Sequence, residues 1–545
     1  MTQREEGGAG EHAAPGTPAS VTTTADSAAL APLRQRAFRW LWLGTFIGYI
    51  GVWGQTVGAQ WLVVDAPNAA TLVSLVQAAM TLPVMMLALP GGVLADSFDR
   101  RWLLFSVQVY VFIIGMLLTA LTAAGLMPPA LLLALTFALA IGAAVQLPTW
   151  QAMIPELVPR TQLRAATRLD MVGVNVARSI GPALAGLIIA AFGVPVVFGL
   201  YAVSVVFLAL ALLFWRRPAA GSEARRERFV PALRAGGRYV WHEPIVRRIL
   251  LRVILFITPG MTLWALLPLV ATQRLGLGSA GYGALFGALG AGAILAAFAL
   301  GPVRERLSTN GLLTVAGIVF AAVLTVIVLI SNFFAALATL VFAGLAWTAV
   351  ISTLIAELQL FLPVWVRARG IAIYLVTFTG SMTVGALIWG LVAEGVGLQP
   401  TFLAAAVVML GGALAGLFWR VPETGHLDRE AAIYWPEPRL AIDPELDTGP
   451  VMVTVEYTVA PEREAAFLEA MDRLRVSRRR SGATRWELYR DGDRPDRFVE
   501  LFSVPSWEEH MRQHEGRLTA MDQEVEEAAL AFSDPPPRAE HLLPP

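Results

Sequence analysis

From Phe38 to Arg420 the chain is a near-continuous succession of apolar stretches, each long enough to cross a bilayer, which takes about 20 residues of helix. We count twelve, near residues 38–64, 72–95, 102–125, 128–150, 168–191, 194–215, 246–273, 281–303, 309–331, 333–356, 369–393 and 400–419. Lipid offers no hydrogen bonds, so a spanning segment of this length must satisfy its own backbone as a helix. Composition agrees: 56% of the 545 residues are hydrophobic and 15% charged, against about 25% charged in soluble domains. Such a chain collapses to hide its apolar surface, which excludes disorder as its main state. There is no cysteine, so disulfides, thiol catalysis and thiolate metal sites are excluded. All 41 basic residues are arginine; without lysine there is neither Schiff-base chemistry nor a lysine-bearing phosphate loop for ATP. They balance 41 acidic residues, leaving no global basic field for nucleic acid.

Residues 1–33, rich in Gly, Ala, Pro and Thr, read as a disordered tail. No signal peptide is expected, because the first apolar run is far longer than the core of one. The spans fall into two six-helix bundles, 34–215 and 246–420, around a basic loop at 216–245. A Pro-rich linker at 421–449 leads to a soluble domain at 450–535 and a closing tail at 536–545. In that domain Val451–Val459 alternates as a strand and Pro461–Arg480 is helical. Ala483–Arg490 and Arg497–Val504 pair as strands, and Ser506 with Glu509 opens a second helix as a capping box. The expected fold is therefore an all-α membrane protein of twelve transmembrane helices in two six-helix halves, plus a small C-terminal ferredoxin-like α+β soluble domain of βαββα order. Nineteen arginines lie in the gaps after even-numbered spans and one, Arg274, in those after odd-numbered spans. Positive charge stays on the cytoplasmic side, so both termini are expected there, in the plasma (inner) membrane. The halves also echo each other: Pro159, Gly181 and Gly186 recur as Pro363, Gly385 and Gly390, each 204 residues on.

Three motifs carry a family resemblance. The loop after the second span reads Gly92-Val-Leu-Ala-Asp96-Ser-Phe-Asp99-Arg100-Arg101 and resembles the major-facilitator loop signature. The resemblance implies a conformational latch on Gly92, Asp96, Arg100 and Arg101, with Gly92 admitting a neighbouring helix; the plain alternative is a positive-inside loop with an incidental acid. The equivalent loop, Gly301-Pro-Val-Arg304-Glu305-Arg306, lacks the Asp, and Asp99 stands where many carriers have Gly. In span 5, Arg178, Gly181, Pro182 and Gly186 resemble the Gly-Pro signature of drug antiporters, implying a coupling interface against span 8, where Gly283, Gly287, Gly290 and Gly292 lie; generic small-residue packing explains the same pattern. Pro148–Pro159, Phe38–Gly44, Trp53–Trp61, His510–Glu515 and the closing His541-Leu-Leu resemble the transmembrane secretion effector group, which includes exporters related to siderophore and macrolide efflux proteins.

Few polar side chains lie in the spans. Gln55, Gln60, Asp65, Asp170, Asn175 and Glu357 are the candidate substrate or proton sites, and Arg178 is placed near the midplane by its ten-residue distance from Arg168. An intramembrane arginine must find a partner or water. The expected function is secondary export of small hydrophobic or amphipathic molecules by alternating access, with protons as coupling ion, the bilayer as surroundings and no cofactor. Import or facilitated diffusion is the rival within transport. A membrane-tethered enzyme is the rival outside it, because the C-terminal domain resembles antibiotic-biosynthesis monooxygenases; that resemblance also implies self-association. The arginines at 473, 475, 478, 479 and 480 read as a solvated helix end or a contact with anionic lipid. His510 and His514 share a helix face, but two ligands without a third assign no metal site.

Overall fold

The computed structural model describes residues 29–215 and 229–422, and residues 432–544 apart from 433, 434, 436, 437, 439 and 443. The first half comprises α1 (Arg36–Leu62), α2 (Ala69–Ser97), α3 (Arg100–Ala123), α4 (Pro129–Leu157), α5 (Leu163–Phe192) and α6 (Val194–Phe214). A short amphipathic helix, α7 (Phe229–His242), occupies part of the expected basic loop; residues 216–228 lie outside the described residues. The second half comprises α8 (Pro244–Leu269), α9 (Ser279–Arg306), α10 (Thr309–Leu329), α11 (Phe333–Phe361), α12 (Val364–Val396) and α13 (Leu398–Phe418).

Eleven of the described helices are long and apolar enough to cross a membrane. The helix left out is α1, whose glycines, two glutamines and hydroxyls dilute its hydropathy. It is nonetheless 27 residues long and packs along α5 and α6. Helix ends follow local chemistry. Asp99, the departure from the loop signature, caps α3 by accepting from the backbone N–H of Arg101 at 2.9 Å and Trp102 at 3.2 Å. Ser308 caps α10 and Asn332 caps α11 in the same way.

The halves repeat each other in packing. The pairs α2–α4, α1–α5, α1–α6 and α3–α6 recur as α9–α11, α8–α12, α8–α13 and α10–α13. The two largest interfaces between halves, α2–α12 and α5–α9, exchange under the same operation, the signature of a parallel internal repeat.

The C-terminal domain is a four-stranded antiparallel sheet in the order β2-β3-β1-β4, from β1 (Val451–Thr458), β2 (Arg485–Arg490), β3 (Arg497–Val504) and β4 (Arg538–Leu542). Helices α14 (Glu464–Ser481), α15 (Trp507–Arg512) and α16 (Ala520–Leu530) complete it. Alternate residues of β1 point inward, and Val451, Val453, Val455 and Tyr457 pack on Phe467, Met471 and Leu474 of α14. Three expectations change here. Residues 536–545, read as a tail, supply β4, which pairs with β1 in the register Val453↔His541. The linker is partly built into the domain, since the N–H groups of Trp507 and Glu508 donate to the carbonyls of Thr448 and Leu446. The capping box also moves: Ser506 caps α15, but the reciprocal box forms at Thr519 and Asp522.

Candidate functional site

The bundle is closed at one end. There the last turns of α1 and α8 meet the first turns of α9, and aromatic rings fill the junction. Trp53 lies 6.3 Å from Trp264 and 5.8 Å from Phe286, Trp264 lies 5.3 Å from Phe286, and Trp61 stacks on Tyr282 at 6.0 Å. Gln60 fastens this plug: its Oε1 accepts from the Tyr282 hydroxyl at 2.6 Å, and its Nε2 reaches the Trp264 carbonyl at 3.5 Å. Thr81 and Thr383 join α2 to α12 deeper in, at 2.7 Å. At the opposite end, where α7 lies, α4 and α5 make no extensive interface with α11 and α12 among the described residues. The molecule is plugged at one end and divided at the other.

Helix α5 lies along that division. Gly181 faces α1, where a Cβ would meet Trp53 and Ile50. Pro182 and Gly186 face α9: a Cβ on Gly283 would stand 2.6 Å from the Pro182 carbonyl, and one on Gly186 would overlap the Ser279 carbonyl. The span-5 motif, expected on one face against span 8, is thus split between two interfaces. Gly283, Gly287 and Gly290 do face α5, whereas Gly292 packs on Val341 of α11. Ile180, Leu184 and Leu187 form the exposed apolar side. At 100° per residue, Arg178 falls between the α1 and α9 faces and Asn175 on the α9 face one turn before Ser179, both away from that side. Arg178 Nη2 donates to Asn175 Oδ1 at 2.6 Å, and its Nε is buried with no hydrogen-bond partner among the described residues.

The other candidates scatter. Asp170 is buried and accepts from Trp150 Nε1 of α4 at 3.0 Å. Gln55 is 3% exposed, and its Nε2 has no partner among the described residues. Asp65 is exposed beside the plugged end, in a shallow depression shared with Glu394. Glu357 of α11 accepts from Thr309 of α10 at 2.9 Å, near the divided end. No single cluster collects them.

In the loop between α2 and α3, Arg100 crosses to α4, pairing with Glu156 at 2.7 Å and donating to the Ala152 carbonyl at 3.1 Å. Arg101 caps the end of α6, donating to the Leu212 and Leu213 carbonyls at 2.8 and 2.9 Å. Asp96 lies in the last turn of α2, its side chain outside the described residues. The close approach expected at Gly92 belongs to its neighbour: a Cβ on Gly91 would stand 3.0 Å from the Ala144 carbonyl, whereas Gly92 faces open space. In the second half Arg304 donates to the hydroxyls of Ser352 and Thr353, at 3.1 Å each.

The sequence matches the transmembrane secretion effector family over residues 27–544. The chain belongs to this family of major-facilitator transporters. It is 27% identical over 161 residues to the staphyloferrin A transporter of Staphylococcus aureus, covering 29% of this chain and 41% of that one. It is 25% identical to the multidrug efflux pump Tap of Mycolicibacterium fortuitum over 68% of this chain and 92% of Tap. A match to the MFS-type transporter YfiS of Bacillus subtilis, 26% identical, covers 39% of this chain and 51% of YfiS. The chain thus spans about half or less of two of these relatives and nearly all of Tap. Among solved structures, a bacterial homologue of the human lysosomal transporter Spinster superposes with a TM-score of 0.56 at 16% identity, over 71% of this chain and 97% of that one. The nucleoside transporter NupG superposes with a TM-score of 0.55 at 12% identity, over 70% and 98%. These likenesses establish the fold of the membrane part. The transporter is a multi-pass membrane protein.

The structure brings forward residues that the sequence does not single out. Glu156 went unassigned although it sits in the Pro148–Pro159 stretch, where an acid at a basic helix end is itself a signal. The plug residues Tyr282 and Phe286 carry none beyond ordinary aromatics. Arg478 and Arg480, read as solvated or lipid-facing, are 2% and 5% exposed and paired inside the protein. Arg478 donates to Glu500 at 3.1 Å and Glu526 at 2.8 Å. Arg480 bridges Asp522 at 2.6 Å and Glu243, the cap of α8, at 2.8 Å. The signal was present: Phe467, Met471, Leu474 and Arg478 make one helical stripe, and an arginine ending an apolar stripe demands a buried partner. Burial alone would push the Asp522 carboxyl up, but Arg480 with the Ser477 and Thr519 hydroxyls holds it below the usual carboxylate range. With Arg238 on Glu509 at 3.5 Å and Trp365 Nε1 donating to the Arg517 carbonyl at 3.1 Å, these contacts dock the domain on α7, α8 and α12.

Proposed function

We propose that this transporter is a secondary active exporter, moving small amphipathic or hydrophobic molecules of drug, macrolide or siderophore kind out across the plasma membrane in exchange for protons. The observation that carries the reading is the asymmetry of the bundle: an aromatic plug joins the halves at one end while α4–α5 stand apart from α11–α12 at the other. Alternating access needs such a pair of ends, one closed while the other is open. α1 serves as the twelfth span, packed like its repeat mate α8. The arginine asymmetry supports assigning the divided end, both termini and α7 to the cytoplasm.

Substrate enters the division and meets Arg178, whose unmatched Nε suits an anionic group such as a carboxylate. Asp170, buried beside Trp150, is the acid best placed to take up a proton. Arg100 with Glu156 latches the cytoplasmic ends of α2–α4, and α5–α9 and α2–α12 are the surfaces on which the halves rock. A siderophore transporter and a multidrug pump among the relatives support the substrate class. The sheet order of the C-terminal domain fits a ferredoxin-like domain, which we assign a regulatory role on the bundle.

The test is efflux from proteoliposomes of known orientation, with siderophore and macrolide panels, under an imposed pH gradient. Export that collapses with a proton ionophore supports the reading. Transport indifferent to the gradient, or directed inward under it, rejects it.

A further inference from the structure

We propose that the C-terminal domain binds one divalent first-row transition-metal ion through the imidazoles of His510, His514 and His541, with an open coordination position toward the cavity these side chains line.

The fold supplies the third ligand that the sequence did not place. His510 lies on α15, and His514 follows four residues later in the π-turn Gln513–Arg517, so both rings leave the same side. His541 arrives from the far end of the domain on β4, held by its pairing opposite Val453. One ring nitrogen from each lies within 4.8 Å of the others, and the rings of His514 and His541 each stand 4.9 Å from that of His510.

The His510–His514 pair already stands at the spacing of a chelate. The Nε2 atoms of His510 and His514 are 3.3 Å apart. Two nitrogens bound at about 2.0–2.1 Å to a tetrahedral ion are separated by roughly 3.3 Å. The outer nitrogen is fixed as metal-binding histidines require: His510 Nδ1 lies 3.1 Å from Gln513 Oε1, while the Gln513 amide nitrogen reaches Ser481 Oγ at 3.5 Å. An amide oxygen only accepts, so the proton sits on Nδ1 and the Nε2 lone pair points at His514. The surroundings tolerate a cation, since Arg478 is outweighed by two carboxylates, Glu500 and Glu526. Three neutral imidazoles select zinc, cobalt, nickel or copper over the oxygen-seeking calcium and magnesium. The open pocket beside them has a volume of about 820 Å³ and is walled by Val453, Val455 and Phe502, with room for water or a small ligand at the fourth position.

The test uses the full chain in detergent, carrying a histidine-free purification tag and stripped with a chelator. Cobalt(II) is titrated while ligand-field absorption is followed, and zinc(II) is then added as competitor. The expected result is one cobalt per chain with four- or five-coordinate bands, displaced by zinc. His541→Ala, on a part-exposed edge strand, should weaken binding at least tenfold without unfolding the domain. His514→Ala should do the same, and His242→Ala, outside the cluster, should change nothing. No stoichiometric binding by the wild-type chain, or wild-type affinity in His541→Ala, overturns the proposal.

Discussion

Arg178 is the cation that the proposed mechanism sets against the substrate. A guanidinium exposed to hydrocarbon would cost at least ~2.5–3.5 kcal/mol, and Asn175 satisfies only one of its nitrogens. If the planar fork positions substrate, Arg178→Lys should fail nearly as badly as Arg178→Ala, because lysine keeps the charge but not the geometry. If charge alone attracts the substrate, the lysine variant should keep much of the rate. Normal affinity and rate in Arg178→Ala would remove the residue from the mechanism. Glu156 makes a second case. Its pair with Arg100 is part-exposed, 24% and 21%, so its worth to stability is about 1 kcal/mol or less. Glu156→Gln should therefore leave the unfolding temperature nearly unchanged while slowing transport several-fold. Equal losses in both would reduce the pair to a structural contact.

The two largest joints between the halves are α2–α12 and α5–α9, and in α5–α9 the backbones meet at Gly186, Gly283, Gly287 and Gly290. A Cβ on Gly290 would fall on the backbone of Ser179, so no side chain fits while the helices stay this close. Gly290→Val should push the helices apart, costing about 1–3 kcal/mol by overpacking and abolishing transport. Gly411→Val is the control: it lies on α13 with open space where the Cβ would go. Thermal unfolding and efflux measured side by side decide this, and wild-type efflux from Gly290→Val would show that the close approach is dispensable.

At the scale of the whole molecule, buried charges fasten the C-terminal domain to the bundle, Arg480 on Glu243 and Glu509 on Arg238. Arg480→Ala leaves Asp522 and Glu243 without their guanidinium, at a cost of about 3–5 kcal/mol. The domain should come free of α7 and become open to proteolysis between the bundle and β1, which limited digestion would reveal. The same clamp has a pH limit. The Asp522 carboxyl is held below its unfolded value, so its contribution is complete above about pH 4 and is lost as pH falls through the folded value. Docking should be constant from pH 5 to 8 on this account, about the range where carboxylates stay ionised, and loosen under stronger acid. Topology is tested on the Cys-free background by single cysteines and an impermeant reagent on intact cells. Labelling is expected at Asn68 and absent at Asp472, and the reverse pattern would overturn the orientation.

Much of this architecture was legible in the chain because it depends on local properties. Span length and apolarity, Pro and Gly at breaks, and the alternation of Val451–Thr458 are written in consecutive residues, and each fixes an element by its own burial and hydrogen bonding. The 204-residue echo foretold the repeat, and Gln60 and Trp264, in contact at the plug, stand at that same separation. What the chain could not state were meetings between distant residues. Gly181 turns to α1 while Gly186 turns to α9, and Gly91 rather than Gly92 takes the close contact, because helix rotation is set by neighbours. Arg478 and Arg480 are buried because acids on β3, α16 and α8 converge on them. His541 joins His510 and His514 only because β4 pairs with β1. Periodicity tells a residue which way its own element faces; only packing decides what stands on the other side.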